Sequence, residues 1–78
     1  MSPMDWAPHI VLDPAICHGR PTFRGTRVLV STVLAYLAAN RTAAQIRDDF
    51  PALTDEAIRA ALAYAADTVG RDRVVAKS

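Results

Sequence analysis

Thr42-Ala43-Ala44-Gln45-Ile46-Arg47-Asp48-Asp49-Phe50-Pro51-Ala52-Leu53-Thr54-Asp55-Glu56-Ala57-Ile58 holds two helix starts and one helix stop within seventeen residues. Thr42 with Gln45 three positions on forms a capping box, in which each side chain satisfies a backbone N–H left open at a helix start. Ala43, Ile46 and Phe50 mark the inner side of that helix, and Pro51 blocks its continuation. Thr54 opens the next helix. Asp55 and Glu56 occupy its first turn, where the helix dipole favours acids. Leu53, just before the cap, is placed to pack on Ile58 as a hydrophobic staple. Only Pro51-Ala52-Leu53 and the cap separate the two helices, which is the spacing of a helix-turn-helix unit.

Towards the C-terminus, Ala57, Ile58, Ala61, Leu62 and Ala65 form the expected buried stripe of this last helix, and Gly70 reads as its stop. Towards the N-terminus, Val30, Val33, Leu34, Leu37 and Ala38 recur at helical spacing and define an earlier helix. Ser31 or a neighbour is its expected cap, and Asn40 a left-handed residue after its end. Before it lies Gly19-Arg20-Pro21-Thr22-Phe23-Arg24-Gly25-Thr26-Arg27, with three arginines, two glycines and no acid. Glycine and proline make this a shaped cationic loop or hairpin. Thr22-Phe23 can pair with Thr26-Arg27-Val28 or with the β-prone run Ile10-Val11-Leu12, which Asp13-Pro14 ends. Residues 1–8, with Pro3 and Pro8, read as a flexible arm from which Trp6 could dock. Residues 9–69 form a single domain, and 70–78 a mobile basic tail.

Seventy-eight residues make one small domain with a modest core, so self-association is expected. At 51% hydrophobic most of the chain is not disordered, and its net charge of +1 announces no nucleic-acid partner. The distribution says more. Gly19 to Arg47 carries five arginines and no acid, whereas Asp48 to Asp67 carries five acids and one arginine. Cys17 is the sole cysteine, so no internal disulfide forms. The N-terminus lacks a signal-peptide pattern, and the apolar stretch Val28 to Ala39 is too short to cross a bilayer. The expectation is a cytoplasmic protein.

Catalysis has no constellation to rest on. His9, Cys17 and His18 match no zinc spacing, and adjacent Asp48 and Asp49 point in different directions on a helix. No cofactor, metal or enzymatic activity is expected. Binding is the better prospect. If the arginine segment is extended, Arg20, Thr22 and Arg24 share one side, and two copies could form a ribbon sized for a major groove. Arg27, Arg41, Arg47 and Arg59 complete the candidate DNA contacts. The competing use of Arg24 or Arg27 is a local pair with Asp13 or Asp48. Reading by the last helix meets an obstacle: Asp55 and Glu56 repel phosphate, and Ala60, Ala63 and Ala66 cannot read bases. That alanine face suits contact with another protein.

Gly19-Arg20-Pro21, Arg24-Gly25-Thr26-Arg27, the helix that follows, Thr42 to Thr54 and the run Ile58 to Ala65 together resemble the bacterial domain of unknown function 433 family, over about residues 9–69. Asn40 and His18 stand where glycine is usual in that family. The resemblance implies a mainly α, three-helix homeodomain-like fold with a short N-terminal β element. It also implies the antitoxin of a type II toxin–antitoxin pair, a homodimer or higher oligomer that binds a PIN-like ribonuclease toxin and represses its own operon. For such a partner, Arg71 and Arg73 are candidates to enter the toxin's acidic metal pocket, with Val74 and Val75 supplying apolar contact. The alternative is a protein-interaction module that never touches DNA.

Overall fold

A computed structural model describes the backbone of residues 6–72 and side chains through residue 70. Two short strands lead into three helices: β1 (Ile10–Val11), β2 (Thr22–Phe23), α1 (Val30–Ala38), α2 (Ala43–Asp49) and α3 (Asp55–Asp72). β1 and β2 are antiparallel, with Ile10 opposite Phe23 and Val11 opposite Thr22. Thr22 also bridges to Leu29 on its other side. The pairing with Ile10 and Val11 is therefore realised, whereas Thr26-Arg27-Val28 forms no strand and the other edge of β2 carries a single bridge at Leu29. Phe23 donates its N–H to Val28 O at 3.1 Å, and Val30 donates to Pro21 O at 3.0 Å.

The helix signals explain the helix ends. Thr42 Oγ1 accepts from Gln45 N at 3.1 Å while Gln45 Oε1 accepts from Thr42 N at 2.9 Å, closing the capping box. Thr54 Oγ1 accepts from Ala57 N at 3.1 Å at the start of α3. α1 begins differently. Its cap is Leu29, with no side-chain bond, so Ser31 does not cap it; the β2 bridge fixes the entry instead. Asn40 leaves α1 at φ +65°. Asn40 N bonds Leu37 O and Arg41 N bonds Tyr36 O, both at 3.0 Å, which is the Schellman pattern with asparagine in the left-handed place. Gly70 does not stop α3, which runs to Asp72. A helix-interior glycine costs about 1 kcal/mol but ends a helix only where the chain turns left-handed.

The core is built from Trp6, Ile10, Phe23, Val30, Val33, Ile46, Leu53, Ala57, Ile58, Ala60 and Ala61. Phe23 is its largest fully buried side chain and joins the β element to the helices. Three expectations shift here: Ala38 is exposed, Leu62 is half exposed and Ala60 is buried. The third follows from the arm. Trp6 is not free; its ring meets Tyr64 edge to face at 4.8 Å, and its Nε1 donates to Asp67 Oδ2 at 3.3 Å. The indole covers the side of α3 that the helix pattern alone leaves outward. No helix among the described residues is long and apolar enough to cross a membrane.

Candidate macromolecular interface

The cationic loop folds back on itself. Gly25, at φ +78°, turns the chain so that Thr26 N bonds Phe23 O at 3.0 Å. Thr26 Oγ1 then donates to Phe23 O at 2.8 Å and accepts from Val28 N at 3.0 Å, locking the turn. Arg20, Thr22 and Arg24 consequently do not line one side of an exposed ribbon. Thr22 is wholly buried, and its Oγ1 has no hydrogen-bond partner. It is a core residue, unable to touch DNA. β2 also has neighbours on both edges, which leaves no edge for a second copy to extend.

Each arginine has its own fate. Arg24 Nε donates to Pro8 O at 2.9 Å and Nη2 to Ala7 O at 3.1 Å, while its backbone N bonds His9 O at 2.8 Å. It clamps the N-terminal arm, where the local alternative had set it against Asp13 or Asp48. Arg47 bridges α2 to Asp55 on α3 at 3.1 Å. Both partners are about half exposed, so the pair contributes only about 0–1 kcal/mol. Arg20, Arg27, Arg41 and Arg59 are exposed and make no ion pair among the described residues. Arg73, Val74 and Val75 lie outside the described residues, as does the side chain of Arg71.

An open recess of about 390 Å³ lies where α1, α2 and α3 meet. Leu37, Ala43, Ile58 and Leu62 give it an apolar floor, and Arg47, Asp55 and Arg59 stand around it. A second polar contact holds α1 to α2: Tyr36 Oη donates to Asp49 Oδ2 at 2.9 Å, and its ring meets Phe50 at 5.4 Å. That hydrogen bond, with partial burial and the Asp49 charge, raises the phenol's pKa above 10.0, against a lowering by Arg41. No sequence pattern pointed to the Tyr36–Asp49 or Trp6–Asp67 contacts, because each joins two different elements and neither pair has the three- or four-residue spacing that shows on a single helix.

Cys17, His18 and Gly19 all have positive φ, at +50°, +59° and +82°. This left-handed turn is closed by Gly19 N to Ile16 O and Arg20 N to Cys17 O, both 3.1 Å. It holds the Cys17 thiol 3.7 Å from Arg27 O. His18 thus sits in a backbone conformation that glycine adopts without strain. Among the described residues, no three His, Cys, Asp or Glu side chains gather where a metal could bind.

The model of the protein of unknown function family DUF433 matches residues 10–65. The chain belongs to the DUF433 family. The matched span runs from β1 through most of α3, so the clamped arm begins just before it and the helix end just after it. Comparison of this DUF433 protein with characterised proteins and with solved structures gave no match.

Proposed function

We propose that this DUF433 protein is a binding module that performs no catalysis and acts as the antitoxin of a type II pair, with a PIN-like ribonuclease toxin as its partner. The observation that carries the protein-partner half of this reading is the character of α3. In a helix-turn-helix this helix would enter the major groove. Here its first turn exposes Asp55 and Glu56, and beside them lies a recess with an apolar floor and Arg59 at its rim. Phosphate is repelled by that turn, whereas a protein surface offering acids and apolar side chains is matched by it. The toxin's identity rests on the family resemblance. Arg71 and Arg73 are assigned to the toxin's acidic pocket, where a guanidinium competes with metal or RNA phosphate, and Val74 and Val75 to apolar contact beside it.

The test is co-expression with the product of the adjacent gene, followed by a ribonuclease assay. The intact chain should suppress activity, and Arg71→Ala with Arg73→Ala should weaken suppression at least tenfold. Unchanged suppression by that double variant places the contact elsewhere, and failure of the two proteins to associate removes the antitoxin reading. Repression of its own operon remains the second reading, favoured by the exposed Arg20, Arg27, Arg41 and Arg59. It requires promoter binding whose affinity falls steeply with salt. Absence of binding at low salt leaves the protein-only module.

A further inference from the structure

The recess between α1, α2 and α3 is unbalanced in charge. Two guanidiniums, Arg47 and Arg59, and one carboxylate, Asp55, stand around it. Arg47 gives one Nη to Asp55 at 3.1 Å, and its Nε is shut off from water with no acceptor among the described residues. Arg59 is exposed and makes no ion pair among them. Each guanidinium carries several N–H donors in a fixed fork, so donor capacity at this rim goes unspent on the protein itself. Beneath it the floor of Leu37, Ala43, Ile58 and Leu62 is aliphatic. Ile58 is buried, whereas Leu62 is 49% exposed. On α3, Asp55, Arg59 and Leu62 succeed one another four and three residues apart, so acid, base and apolar group share one strip of the helix.

We infer that the recess receives an apolar side chain of the toxin flanked by a carboxylate, and that Arg59 and Arg47 hold that carboxylate between them. The inference rests on the protein-partner reading above and adds the chemistry by which the partner is recognised. Charge complementarity selects the occupant. A wholly apolar cover would take Arg59 out of water with no counter-charge, and a buried charge without a partner is strongly destabilising. A phosphate would meet the Asp55 carboxylate and leave the aliphatic floor wet. A carboxylate beside an aliphatic or aromatic group satisfies rim and floor together. The arriving carboxylate competes with Asp55 for Arg47. Asp55 is thus the recess's own stand-in anion in the free protein, and its like charge opposes the partner. Removing the Asp55 charge should tighten the complex, a sign that a plain apolar groove would not give.

Calorimetric titration of the full chain with the purified product of the adjacent gene tests the recess. Arg59→Glu and Leu62→Ser should each weaken association by about tenfold or more, with unchanged helical circular dichroism because both side chains reach solvent. Asp55→Asn should strengthen it by about threefold. Leu12→Ser, at a similarly exposed leucine outside the recess, should leave association unaltered. Association that survives Arg59→Glu or Leu62→Ser overturns the recess as the contact and leaves the antitoxin reading standing. So does weakening by Asp55→Asn, and so does a loss on Leu12→Ser equal to that on Leu62→Ser. A promoter duplex released by Arg59→Glu while the protein complex stays intact assigns Arg59 to phosphate and overturns the inference as well. An unaltered chain that does not bind the adjacent product removes the antitoxin reading and this inference together.

Discussion

Asn40 and His18 occupy left-handed positions, at φ +65° and +59°, but with different local support. Asn40 closes a helix end, and asparagine tolerates this conformation because its short side chain bonds locally. Asn40→Gly should leave stability within about 0.5 kcal/mol, while Asn40→Ala should lower it by about 1 kcal/mol in urea unfolding. Histidine has less to offset the strain, so His18→Gly should stabilise the fold by about 1 kcal/mol. Thr22 makes a sharper case. Its hydroxyl is buried without a partner, so Thr22→Val, which keeps the shape, should raise stability by about 1 kcal/mol. Tyr36 governs alkaline behaviour. Its pKa is raised in the fold, chiefly by Asp49, so its contribution is complete below pH 10.0 and fades as pH climbs through the folded value. Tyr36→Phe should remove that fading from unfolding midpoints compared between neutral and strongly alkaline pH. Asn40 was legible in the sequence because it follows a periodic helix and precedes a capping box. The burial of Thr22 was not, since a two-residue strand carries no alternation from which to tell its inner face.

Element by element, legibility followed local chemistry. The Thr42–Gln45 box needs only its own neighbours, and it formed; Thr42→Ala should cost about 1 kcal/mol in thermal or urea unfolding. The start of α1 and the end of α3 depend on something else. A distant bridge from Thr22 to Leu29 sets the first, and Gly70 lacks the left-handed turn that would set the second. The inner face of α3 extends to Ala60, on the same side as Tyr64 and Asp67, which Trp6 meets from 54 positions before Ala60. Trp6→Ala should cost about 3 kcal/mol through the lost ring packing. Arg24→Ala should release the same arm at smaller cost, seen as faster amide exchange at His9 and Trp6.

For the molecule as a whole, two of the five arginines in the basic half of the sequence are drawn into internal contacts. Arg24 is taken up by backbone carbonyls, and Arg47 meets Asp55 of the acidic half. The candidate site was thus legible as a set of residue types and illegible as a surface, because which arginines stay exposed is decided by the arm and by the packing of α2 on α3. The clamped indole has one more use. It is the protein's sole tryptophan, held edge-on to a tyrosine and beside a carboxylate. Its ultraviolet emission therefore reports the docking of a single segment, and a shift in colour that precedes the loss of helical signal would time the arm's departure separately from global melting.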